Sequence, residues 1–158
     1  FMYQLEVKYH LVKHMFRPSN GWDVIVDIDA MERAKGPQHK ADKKAKVEAA
    51  EAELRILGAN VGAHKLYGRV DVYASHPDKG VFLVEVEGTS SKQKEQAMYS
   101  AIGQTILMME APSKHITYAL AVPDAPEWER QIAKIPDRIK TILNLKCLMV
   151  SERGVKSV

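Results

Sequence analysis

A chain of 158 residues, 46% apolar and 27% charged, has the size and make-up of one globular domain with a full core. Its net charge of +3 is too small to imply a polyanion partner by itself, and the single Cys147 excludes an internal disulfide framework and a cysteine-rich zinc site. No run approaches the ~20 apolar residues of a membrane span and no charged-then-apolar leader is present, so a cytoplasmic location away from membranes is the expectation.

Tyr3, Leu5, Val7, Tyr9 and Leu11 alternate with Gln4, Glu6, Lys8 and His10, the pattern of a half-buried strand. After the turn Arg17-Pro18-Ser19-Asn20-Gly21, a second alternation runs from Trp22 to Asp29. Residues 1–30 therefore predict an N-terminal β-hairpin with Asn-Gly near its tip. His10 with His14, and Asp27 with Asp29, are nominal metal pairs. On a strand, however, the histidine spacing is wrong, and the acids have Lys8, Lys13 and His10 as partners.

Residues 33–46 hold Arg33, Lys35, Lys40, Lys43, Lys44 and Lys46 against Asp42 alone. The Gly36-Pro37 break precedes a predicted helix that runs to Leu57 and stops at Gly58. Lysines in a first helical turn oppose the dipole by about 0.3–1 kcal/mol each, which either solvent or bound phosphate would offset. Val47, Ala50, Leu54 and Leu57 form the apolar stripe of this helix, and Glu48, Glu51 and Arg55 a neighbouring polar one.

Two short strands follow, joined by the turn His76-Pro77-Asp78-Lys79-Gly80. Val70, Val72 and Ala74 alternate with Arg69, Asp71 and Tyr73, and Phe82, Val84 and Val86 with Val81, Leu83, Glu85 and Glu87. Antiparallel pairing would bring Asp71 close to Glu85, with Glu87 on the Glu85 face. Carboxylates crowded in this way repel and raise one another's pKa unless a cation sits among them, and a divalent cation is the usual answer. Arg69 and Lys79 are the alternative, as partners of solvated acids.

Ser90 with Gln93 reads as a capping box opening a helix that ends before Pro112 and carries Lys92 and Lys94 in its first turn. Its second half, Ile102 to Met109, is apolar nearly all round, so this helix is expected to be largely buried, with Gln93, Gln96, Ser100 and Gln104 as a polar seam. Ile116 to Val122 reads as a strand buried on both faces, ended by Pro123. Trp128 to Ile135 and Pro136 to Leu143 read as short amphipathic helices, and Lys146 to Val150 as a last strand. The whole is one α/β domain: a hairpin over 1–30, a core over 38–122, and helix and strand additions over 126–158.

From Lys40 onward the order is helix, strand with Asp, strand with E-x-E, helix, strand. That order resembles the αβββαβ core of the PD-(D/E)XK nuclease superfamily, the restriction-endonuclease-like fold, with a mixed central sheet flanked by helices and one strand short or unrecognised. The resemblance covers about residues 45–122. It implies that Asp71 and Glu85 bind Mg²⁺, or Mn²⁺ in its place, that the Val86 carbonyl adds a ligand, and that Glu48 or Glu51 completes the site. Gln104, in Ala101-Ile102-Gly103-Gln104, corresponds to a glutamine lying near the site in many of these nucleases. The superfamily's lysine slot holds Glu87 here. A minority of members carry Glu there and remain active, and others move the lysine to the following helix, which suggests Lys92 or Lys94.

Such a site would hydrolyse phosphodiester bonds. Glu87 would accept a proton from the attacking water or hold a second ion, while Lys92 or Lys94 would orient the water and neutralise phosphate. Lys40, Lys43, Lys44, Lys46 and Arg69, with Lys94, would track a DNA backbone, with RNA left open. The expected activity is a Mg²⁺-dependent DNA endonuclease of the restriction, repair or recombination kind. The alternatives are an inactive nucleic-acid-binding or assembly subunit of the same fold, and a small α/β interaction domain with solvated acids. Cutting both strands of a duplex needs two sites, which suits a homodimer, though no residue defines an interface.

Overall fold

The computed structural model describes residues 1–89, 93–109 and 115–158. The N-terminal segment is a helix, α1 (Gln4–Met15), and the β-hairpin expected over residues 1–30 is not formed. The buried residues of α1 are Leu5, Val7, Lys8, Leu11 and Val12, spaced three and four apart as on one helix face. A charged Lys8 in the middle of that face hides the helical period and leaves a chance alternation of apolar residues. A 3-10 turn over Pro18–Asn20, closed by Gly21 at φ 97°, leads into the short strand β1 (Asp23–Val26).

Asp29 caps the single-turn helix α2 (Ala30–Arg33), accepting from the Glu32 amide at 2.8 Å. Helix α3 (Ala41–Leu57) buries Val47, Ala50 and Leu54 and ends on the left-handed Gly58, as its stripe and stop signal predicted. The two-residue strand β2 (Asn60–Val61) lies beside β1. The central hairpin forms as expected: β3 (Val72–His76) pairs antiparallel with β4 (Gly80–Val86), Val72 opposite Val84.

Helix α4 (Lys94–Leu107) and strand β5 (Ile116–Pro123) follow, then α5 (Pro126–Ile132), α6 (Asp137–Leu143), β6 (Leu145–Ser151) and β7 (Gly154–Ser157). Ser90 and Lys92 lie outside the described residues, and Gln93 stands at the N-cap of α4. The helix is less buried than its apolar content suggested: Met98, Ala101 and Thr105 face the core, whereas Leu107 is 87% exposed and Gln93, Gln96, Ser100 and Gln104 face outward. The glutamines therefore need no buried partners.

The seven strands make one mixed sheet in the order β2-β1-β3-β4-β5-β6-β7. β3 runs antiparallel to both β1 and β4, β4, β5 and β6 run parallel, and β7 closes the far edge antiparallel to β6. Helices α1 and α3 cover one face, where Phe16, Leu54, Val72, Val84 and Leu148 share a core. Helices α4 and α5 cover the other, with Trp128 packed on Leu120 and Met149.

The sequence put α3 at the head of the αβββαβ order. A short strand does follow α3, but β2 pairs only with β1 at the sheet edge. The three strands that pair in succession are β1, β3 and β4, and the helix preceding them is α1, with α2, α3 and β2 inserted between β1 and β3.

Candidate functional site

The register across β1, β3 and β4 places three acids at one end of the sheet. Val26 stands opposite Val72 and Val72 opposite Val84, so Asp27, Asp71 and Glu85 follow at one level across three neighbouring strands. The pairing continues past the strand ends, because the Asp27 amide donates to the Asp71 carbonyl at 3.1 Å. These acids, with Asp29, Glu87 and Gln104, line a cleft of about 640 Å³ whose rim also carries Gln4, Tyr67 and Arg69.

Asp71 is held from two sides. Its Oδ2 accepts from the Val86 amide at 2.9 Å, and its Oδ1 lies 3.2 Å from the Nζ of Lys8. Lys8 was expected as a solvent-side residue of a strand. On α1 it is fully buried, its ammonium 2.8 Å from both oxygens of Glu32 and 2.6 Å from the Asp27 carbonyl. Burial disfavours the ammonium, but Asp71 and Glu32 outweigh that and raise its pKa above the ordinary value. Glu32 is itself pushed up, by desolvation first and by Asp71 and Asp29 besides, against the pull of Lys8.

Glu85 is the other half of the site. It is 7% exposed, and its pKa is pushed up to about 9 by burial, then by the charge of Asp71 and a side-chain hydrogen bond to it, with Glu87 adding to the effect. At neutral pH Glu85 thus keeps its proton. A protonated carboxyl hydrogen-bonded to a second carboxylate is the kind of oxygen donor set in which a cation can take the place of the proton. Among the described residues no three His, Cys, Asp or Glu side chains converge tightly enough to hold a metal unaided. Mg²⁺ does not require that: it is commonly held by one or two carboxylates and keeps several of its waters.

Other candidates fall elsewhere. Glu48 and Glu51 line a second cleft of about 580 Å³ with Arg33, Lys35, Lys44 and Arg55, on the α3 surface rather than beside Asp71. Glu51 spends both oxygens on arginines, at 2.9 Å from Arg33 and 3.2 Å from Arg55. Burial alone would raise its pKa, but those two partners hold it below the ordinary value. A helix that packs chiefly against α1 and buries Val47, Ala50 and Leu54 turns these glutamates to its outer side. Lys92 lies outside the described residues. Lys94 donates to the Thr89 carbonyl at 2.8 Å and sits over the Trp128 ring, so it helps tie α4 to α5.

Of the cations expected to meet a backbone, Arg69 stands at the cleft rim, 69% exposed, and bridges to Asp27 at 3.2 Å. Lys43 lies over the Tyr3 ring beside a small cleft lined by Gln4, Asp29 and Glu32. Lys44 lines the α3 cleft, Lys46 pairs with Asp42, and Lys40 is exposed at the N-cap of α3. The histidine pair is on a helix after all, His10 stacked on His14, whose Nε2 lies 2.8 Å from the Glu152 carbonyl. Lys8 and Glu32 went unrecognised as site residues. Asp29-Ala30-Met31-Glu32 is a legible capping motif, but nothing local to it points at Asp71.

Comparison of the chain with protein-family models, with curated proteins and with solved structures finds no match. The fold and the cleft define an α/β protein with a seven-stranded mixed sheet flanked by helices and a proton-sharing carboxyl pair at one end of it.

Proposed function

We propose that this chain is a divalent-cation-dependent phosphodiesterase acting on DNA, with Asp71 and Glu85 as its cation-binding carboxylates. The observation that carries the reading is the Asp71–Glu85 pair, brought together across the hairpin, Glu85 buried and Asp71 partly so, and holding a proton that a cation would displace. The donors are all oxygen, which suits Mg²⁺ or Mn²⁺. The element order α1-β1-β3-β4-α4-β5 is compatible with the PD-(D/E)XK core and supports the same reading.

Asp71, Glu85 and the Val86 carbonyl would hold the cation, which when bound polarises the scissile phosphate and lowers the pKa of the attacking water. Glu87, half-buried at the same cleft, would take the proton from that water. Gln104, exposed on α4 and facing the cleft, would hydrogen-bond a non-bridging oxygen. Arg69, Lys43 and Lys44 would give affinity for the backbone without reading sequence.

Glu87 in the lysine slot, together with the two-carboxylate site, favours a second reading: a nucleic-acid-binding or assembly subunit of the same fold that does not cut. Incubation of plasmid, single-stranded and branched DNA with Mg²⁺ or Mn²⁺ separates the two. Cleavage that is lost in Asp71→Asn supports the phosphodiesterase. Salt-sensitive DNA binding with every substrate intact at high protein concentration supports the subunit, and neither binding nor cleavage overturns both.

A further inference from the structure

We propose that the Lys8 ammonium, buried behind the acid cleft, stands where a second cation would bind Asp71, so that the site takes one divalent cation, on the Glu85 side of Asp71, and not two. The inference rests on the cation-dependent reading above and gives a role to Lys8, which that reading does not use.

The geometry divides Asp71 between two neighbourhoods. Its Oδ1 faces Lys8 at 3.2 Å and its Oδ2 accepts from the Val86 amide at 2.9 Å, while a side-chain hydrogen bond joins the carboxylate to Glu85. On the Lys8 side everything needed to hold a cation is present and already used. Glu32 grips the ammonium with both oxygens, the Asp27 carbonyl accepts from it at 2.6 Å, and the whole side chain is sealed from solvent. Glu32 cannot swing away cheaply, because its backbone is fixed by the Asp29 cap.

A carbonyl and two carboxylates around a point positive charge form the same set of oxygens that would ligate a divalent ion. A metal placed between Asp71 and Glu32 would sit within a few ångströms of Nζ, and like charges at that separation in a buried site repel strongly. Lys8 therefore blocks one metal position.

The test is the number of Mn²⁺ ions bound per full-length chain, measured by titration calorimetry and by loss of the free-ion EPR signal. One ion is expected in the wild type. Lys8→Gln, which leaves Asp71 and Glu32 facing each other without the ammonium, is expected to bind two. Lys8→Gln/Glu32→Gln keeps the buried charge balanced and serves as the test where the single variant does not fold. It is expected to bind one ion several-fold more tightly than the wild type, because the competing ammonium is gone.

Two ions in the wild type would overturn the role of Lys8 and leave the cation-dependent reading standing. No ion in the wild type would overturn both. One ion in a folded Lys8→Gln, or a double variant whose affinity is unchanged or weaker, would show that Lys8 does not compete for the site, and would overturn the inference.

Discussion

The proton on Glu85 makes the metal-free protein lose stability as the pH rises. Its pKa is raised from the ordinary 4.5 to about 9 in the folded chain, so between those values the folded state holds a proton that the unfolded state releases. The contribution is fully present below about pH 4.5 and is lost as the pH climbs toward about 9. The limiting slope is about 1.4 kcal/mol per pH unit, and sharing of the proton with Asp71 broadens the titration, so a loss of about 2 kcal/mol is expected between about pH 6.5 and pH 8.5. His10, whose pKa is lowered first by burial, acts with the opposite sign, but only below its ordinary 6.5. Lys8 acts only above 10.5, and Glu32, also raised, contributes alike to the wild type and to a Glu85 variant. Glu85→Gln is isosteric with the protonated carboxyl and retains a donor toward Asp71, so its curve should lack the Glu85 slope. Urea unfolding in the presence of a chelator, followed by circular dichroism at a series of pH values, measures the difference directly. Parallel curves for wild type and Glu85→Gln across that window would refute the proton on Glu85, and with it the exchange of proton for cation.

Uptake of Mg²⁺ should release close to one proton per chain near pH 7, and affinity should rise with pH by up to about tenfold per unit below pH 9. Calorimetry in buffers of different protonation enthalpy reads the release, and Asp71→Asn should abolish both uptake and the accompanying rise in melting temperature. Glu51→Ala should cost about 1 kcal/mol, since it unclasps the partly exposed Arg33 and Arg55, and should leave Mg²⁺ affinity unchanged because Glu51 lies in the α3 cleft. Gly88→Ala should cost roughly 1–3 kcal/mol, because a Cβ there would run into the Gln4 backbone at the start of α1. Gly103→Ala, in the open on α4, should be neutral or gain up to about 1 kcal/mol, and denaturant midpoints compare the two.

What was legible in the sequence is what is local. The β3–β4 hairpin, its register and the meeting of Asp71 with Glu85 follow from alternation and a Pro-to-Gly turn within twenty residues. Helix α3 showed a stripe and a glycine stop, and β5 an unbroken apolar run capped by Pro123. Helix α1 was hidden because the residue at the centre of its buried face is a lysine, and hydropathy counts Lys8 as solvent-facing. Its burial depends on Glu32 and Asp71, which are distant in sequence and whose proximity no periodicity encodes. The polar seam of α4 failed for the converse reason. Apolar residues at Ile106 and Leu107 suggested a buried helix, yet both are exposed, and the residues of α4 that are buried are Met98, Ala101 and Thr105. The α3 glutamates were plausible ligands only while α3 stood in for α1 as the helix beside the acids.

Recovering α1 changes what the glutamate at position 87 implies. Read along the strand, Glu87 looks like a cleft that has lost its lysine. In three dimensions a lysine stands 3.2 Å from Asp71, delivered by another element and from the opposite side. The Lys8–Glu32 pair is neutral as a unit and Glu85 keeps its proton, so Asp71 adds a net negative charge to the inner cleft, with Asp29 and Glu87 beside it. On the reading proposed above, a divalent ion that displaces the Glu85 proton would meet the Asp71 and Glu85 carboxylates with Asp29 and Glu87 beside them, so the occupied cleft would not draw a phosphodiester by charge alone. Affinity for the substrate then has to come from outside the acid cluster. On this surface that means Arg69 at the rim and Lys43 and Lys44 on α3, so their substitution should weaken DNA binding without altering cation uptake.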